Sequence, residues 1–134
     1  IGDPGTAAVI QRVRLADSED VETWLRLGRM ATQVRALDVA EPFFRHAAAM
    51  RPDLAAARQQ YGLNLMLLGR IDEAERELAD AVRLDPRDAG SLSALGYCEL
   101  RLGRVAEARA HAAAALAINP DEPLAGVILR GGGS

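Results

Sequence analysis

The sequence predicts an all-α protein, a right-handed superhelical solenoid of antiparallel helix pairs, and three observations carry that prediction. Pro52, Pro86 and Pro120 stand 34 residues apart. Gly28, Gly62 and Gly96 keep the same spacing, as do Ala40, Ala74 and Ala108, and then Ala47, Ala81 and Ala115. A fixed period of this length is the mark of stacked repeats. Only 4% of the 134 residues are aromatic while alanine is abundant, so the core must be assembled from small side chains on closely packed helices.

Taken in order, residues 1–5 ("IGDPG") read as a tag or a disordered start, and residues 6–20 as a helix closing a partial preceding unit, with Val9, Ile10 and Val13 facing inward. Three full units follow, at 21–54, 55–88 and 89–122. Their internal order is clearest in the second, where "LAAARQQYGLNLMLLG" keeps apolar or small residues at helical spacing until Gly69 interrupts it. A second helix starts near Ile71. Its inward stripe is Ala74, Leu78, Ala81 and Val82, and Glu73, Arg76, Glu77, Asp80 and Arg83 form its solvated face. "LDPRD" and "INPDE" then end the second and third units, because the residue before a proline is pushed out of the α region. Pro42 falls inside the expected second helix of the first unit, which predicts a late or kinked helix start there. Residues 123–130 ("PLAGVILR") read as a cap or the first helix of another unit, and 131–134 ("GGGS") as a linker or tail. Leu124, Val127 and Ile128 need a cover, either from more chain or from a second copy.

Small residues in fixed columns have a steric reason: where two helices cross closely, Gly62 and Ala74 let the backbones approach. One such pair cannot bury its own apolar faces, so the pairs must stack into a solenoid with a concave and a convex side.

Composition removes several chemistries. All sixteen basic residues are arginine, which excludes a phosphate-loop lysine, a Schiff base and a lysine general base. The net charge of −3 and the scatter of arginine among acids argue against nucleic acid as a partner. No run of apolar residues is long enough to insert directly into a membrane. His46 and His111 lie far apart on different units, with no metal-ligand cluster beside either, so neither a metal nor another cofactor is expected. Cys98 shares its place in the unit with Met30 and Asn64 and has no paired base, which makes it a packing residue. The chain is not expected to be an enzyme.

These residues resemble the tetratricopeptide repeat family, whose 34-residue unit carries tryptophan or leucine, glycine and tyrosine on its first helix, alanines and phenylalanine on its second, and a closing proline. Residues 21–54 supply Trp24, Leu27, Gly28, Ala31, Ala40, Phe44, Ala47 and Pro52. Residues 55–88 supply Tyr61, Gly62, Leu65, Ala74, Leu78, Ala81 and Pro86, with Arg58 where a large apolar residue belongs. Residues 89–122 supply Leu92, Leu95, Gly96, Ala108, Ala115 and Pro120, with Glu99 and Ala112 off the pattern.

The resemblance implies binding without catalysis, on a concave groove lined by the first helix of each unit. Carried over position by position, the groove residues are Leu25, Arg29 and Gln33, then Gln59, Leu63 and Met66, then Ser93, Tyr97, Leu100 and Arg101. Such a strip suits a protein or peptide with apolar anchors, with Arg29 and Arg101 available to its acidic residues. The clamp by which some family members hold a C-terminal EEVD peptide is not expected, since its places hold Leu25, Arg29, Gln60, Gly90 and Ala94. Arginine and alanine usage points to a GC-rich bacterial genome, and thus to a scaffold in assembly or secretion, soluble in cytoplasm or periplasm alike. Two other roles follow from the same features: a substrate-recruiting arm of a larger enzyme, such as a sulfotransferase or glycosyltransferase, and a module that self-associates through 123–130.

Overall fold

The computed structural model describes residues 20–131; the helix expected before residue 20 lies outside them. Among the described residues there are seven helices and no strand: α1 (Val21–Gln33), α2 (Leu37–Met50), α3 (Ala55–Leu67), α4 (Ile71–Leu84), α5 (Ala89–Arg101), α6 (Val105–Ile118) and α7 (Pro123–Gly131). The first helices of the three pairs begin at 21, 55 and 89, and the second helices at 37, 71 and 105, so the period of the sequence is the period of the backbone. Each helix packs on the next in order, and α7 rests against both α5 and α6.

The turn inside each pair takes the same form three times. Arg35, Gly69 and Gly103, each 34 residues from the next, have φ of 64°, 83° and 83°. Only this left-handed residue lets the chain reverse between the helices, and glycine adopts it at little cost. The first pair places an arginine there instead, which costs about 1 kcal/mol.

Where the helices of a pair cross, glycine on the first faces a side chain of graded size on the second. A Cβ at Gly28 would overlap the ring of Phe44, and one at Gly62 would come within 2.7 Å of Leu78 Cγ. In the third pair the matching residue is Ala112, and there Ile128 of α7 reaches in, with its Cδ1 3.3 Å from where a Gly96 Cβ would lie. The missing bulk of the third pair is thus supplied by the last helix. Leu78, Ala112 and Ile128 are each fully buried.

Other contacts also recur at the repeat spacing. Arg70 Nη1 lies 3.5 Å from a carboxylate oxygen of Glu41, and Arg104 Nη1 lies 3.8 Å from one of Glu75, joining neighbouring pairs. Gln59 Nε2 donates to Asp88 at 2.8 Å, and Ser93 Oγ donates to Glu122 at 2.8 Å. In the first unit the same two places hold Leu25 and Leu54, both in one apolar cluster.

Three expectations need correction. Helix α2 begins at Leu37 and runs unbroken through Pro42, so its start is not late. The bond Pro42 cannot donate would have gone to the carbonyl of Asp38, an exposed residue whose carbonyl water can satisfy. Segment 123–130 is not an uncovered apolar face, because Ala125 and Ile128 are buried against α5 and α6 and only Val127 stays half exposed. The charged face of α4 is not wholly solvated either. Arg58, in the place of a large apolar residue, reaches Glu77 at 2.9 Å with both side chains about one-fifth exposed, and donates to the carbonyl of Pro52 at 3.2 Å.

Candidate functional site

The inner face of the solenoid is built by α1, α3 and α5, and its outward residues recur every 34 positions. Arg29, Leu63 and Tyr97 form one such column, and Gln33, Leu67 and Arg101 another. Together they line two cavities. The first, about 310 Å³, is walled by Phe44, Leu63 and Leu67, with Arg29, Thr32, Gln33, Gln60 and Asn64 completing it. The second, about 440 Å³, is lined by Met66, Leu67, Gly69, Tyr97, Arg101 and Leu124. Leu67 belongs to both and is 57% exposed. The two cavities therefore lie side by side on one surface.

Of the ten residues expected in the groove, six line these cavities: Arg29, Gln33 and Leu63 the first, and Met66, Tyr97 and Arg101 the second. Leu25 and Ser93 are buried, at 3% and 1% exposure, and are not groove residues. The cause is their common place in the unit, which points at the junction with the next pair. Leu25 joins the apolar cluster there, Ser93 bonds Glu122, and Gln59 turns the same way to bond Asp88. Leu100 is half-buried against the second apolar cluster and lines neither cavity.

The two basic ends differ. Arg29 is paired with Glu22 at 2.7 Å, so its charge is already met within α1. Arg101 lies over the ring of Tyr97, 5.8 Å from its centroid, and donates to the Tyr97 hydroxyl at 3.1 Å. It is exposed, and its contacts with the ring restrain its orientation.

Sequence alone does not place Phe44, Gln60, Asn64, Gly69 or Leu124 in these cavities. Phe44 carries no separate signal, since the family pattern already accounts for it. Asn64 did carry one: it is the polar member of a column otherwise made of Met30 and Cys98.

Away from the cavities, several titratable groups of the described residues are buried. His111 Nδ1 lies 2.6 Å from Glu99 Oε1, and Glu99 is 4% exposed. Burial pushes the Glu99 carboxyl above the usual carboxylate range, partly opposed by His111. Glu41 is also buried, within reach of Tyr61, Arg45 and Arg70. Burial pushes the Cys98 thiol up to about 11, which leaves it a poor nucleophile. Among the described residues no three His, Cys, Asp or Glu side chains converge as a metal site would require, and no helix is long and apolar enough to cross a membrane.

Residues 60–123 match the model of the tetratricopeptide repeat. That match takes in most of the second and third units, and the first unit places its helices 34 residues earlier at the same positions, so the described fold is that of tetratricopeptide repeats. The tetratricopeptide domain of Arabidopsis OM64 is 21% identical, with a TM-score of 0.79 over 86% of this chain and 95% of that one. The first such domain of Spaghetti (RPAP3), bound to the HSP90 peptide SRMEEVD, is 19% identical, with a TM-score of 0.80 over 87% and 93%. YrrB, described as a tetratricopeptide protein with an unusual peptide-binding site, is 24% identical, with a TM-score of 0.72 over 79% of this chain and 55% of that one. No curated protein matches the chain. At these identities the structures share the fold.

Proposed function

We propose that this chain is a non-catalytic scaffold that binds a peptide or partner segment along the inner face of its tetratricopeptide repeats. The observation that carries the reading is the pair of adjoining, mainly apolar cavities, joined at Leu67 and edged by the exposed Arg101. An extended or helical segment with two apolar anchors fits such a surface, with an acidic residue beside Arg101. Spaghetti holds an HSP90 peptide on this fold and YrrB has a peptide-binding site of its own, which supports a peptide as the class of ligand here. The mode of holding an EEVD terminus is disfavoured, because Leu25 and Ala94 are buried and Gly90 offers no side chain. The arginine-only, alanine-rich composition supports a bacterial setting, and a scaffold in assembly or secretion is the role we assign within it.

The test is selection of binders from a displayed peptide library, followed by the Leu63→Ala, Tyr97→Ala double variant. Both side chains are only half-buried and both line a cavity. We expect affinity to fall about tenfold or more while far-ultraviolet circular dichroism is unchanged. Selected peptides that bind the double variant as tightly as the parent would remove the groove assignment.

A further inference from the structure

We propose that the cavity between α1 and α3 is a pocket for a tyrosine side chain of the bound segment, whose hydroxyl donates to Asn64 Oδ1. This rests on the groove reading above and names the anchor that reading leaves open. Asn64 is 2% exposed and lines the cavity. Its Nδ2 donates to the carbonyl of Leu37 at 3.1 Å, which fixes the amide, because the reversed orientation would set one carbonyl against another. The Oδ1 is left without a hydrogen-bond partner in the chain and with almost no accessible surface, so a phenol in the cavity reaches it only with a small shift of the side chains beside it. An acceptor in that state costs the fold its desolvation until a donor reaches it.

The repeat does not itself require this polarity. The equivalent places hold Met30 and Cys98, so the other two pairs form without an amide there. What distinguishes this unit is the cavity beside it.

The walls select the donor. Phe44, Leu63 and Leu67 call for a flat apolar body, and Asn64 calls for a donor at its far end. Gln33 and Gln60 add side-chain N–H groups that can donate to a ligand oxygen. A phenolic hydroxyl both donates and accepts, an indole N–H only donates, and a phenylalanine ring does neither. Serine and threonine carry the hydroxyl but too little body for a cavity of about 310 Å³.

The experiment is a nuclear magnetic resonance titration of the full chain with three probes: p-cresol as the tyrosine side chain, toluene as phenylalanine, and 4-methylanisole as the phenol without its proton. We expect saturable shifts of the Asn64 side-chain amide and of the Leu63 and Leu67 methyl groups. p-Cresol should bind about five- to tenfold tighter than either other probe, the value of one net hydrogen bond. In Asn64→Leu, shown to be folded by circular dichroism, that preference should fall below about twofold. Equal binding of the three probes to the parent chain would overturn the proposal, since the phenolic proton would then contribute nothing at Oδ1. Shifts confined to residues outside the cavity would overturn it too. Neither result touches the groove reading, which stands or falls on the library peptides and the Leu63, Tyr97 double variant.

Discussion

At the scale of single residues, the departures from the repeat pattern are paired with compensations that pattern alone does not reveal. Arg58 stands where an apolar residue belongs and is met by Glu77; Glu99 stands where tyrosine belongs and is met by His111. A charge type says nothing of where its partner will be, so the sequence directs such residues outward, and only packing shows otherwise. Glu99 gives a pH-dependent test. Its carboxyl is raised by burial, so the folded state holds that proton more tightly than the unfolded chain does. The stability this confers is complete below the ordinary carboxylate range and is lost as pH rises through the raised value. Glu99→Gln keeps the shape and a hydrogen-bonding group but cannot titrate. The advantage of the parent over Glu99→Gln, measured by urea unfolding, should therefore be greatest near about pH 4 and shrink toward about pH 7. A gap that widens with pH would mean that the ion pair with His111, and not desolvation, governs this site.

At the scale of helices, the glycine column explains how two helices of a pair approach. Gly28 faces Phe44 and Gly62 faces Leu78 with no room for a methyl group. Alanine is the better helix former by about 1 kcal/mol, so intrinsic propensity alone says that Gly28→Ala stabilises. Overpacking of a buried ring costs about 1–3 kcal/mol, and we expect it to win. Gly28→Ala should lower the urea midpoint, and the loss should be relieved in a Gly28→Ala, Phe44→Leu double variant, where the ring is gone. A raised midpoint in the single variant would show that α1 and α2 can slide apart freely. Helix positions were legible because proline, glycine and alanine recur at one period, and those residues act locally on backbone and close approach. The candidate groove was legible only in part. Arg29, Leu63 and Tyr97 follow from the family's groove positions, whereas Leu25 and Ser93 turn inward because neighbouring pairs meet there, a contact between units that no single unit's pattern contains. The fixing of Asn64 by Leu37 is likewise a contact between helices 27 residues apart.

At the scale of the molecule, stability is set by how the pairs hand their apolar faces to one another. Contacts run almost entirely between neighbours, and two apolar clusters divide the array, one spanning α1 to α5 and the other α5 to α7, with Val82 of α4 against both. In such an array the loss of an interface propagates only as far as the coupling between units carries it. Ile128 belongs to the terminal interface, filling the space that Ala112 leaves, while Leu78 lies in the central pair. Truncation of either to alanine removes a fully buried side chain at about 2–5 kcal/mol. The two should differ in reach. Native-state hydrogen exchange of Ile128→Ala should show faster exchange in α6 and α7 with α1 to α4 still protected, because the end can open alone. Leu78→Ala should lower protection throughout, because opening the middle separates both ends from their neighbours. Were Ile128→Ala to lower protection evenly from α1 to α7, the units would be one cooperative body, and the inner face would open as a whole or not at all.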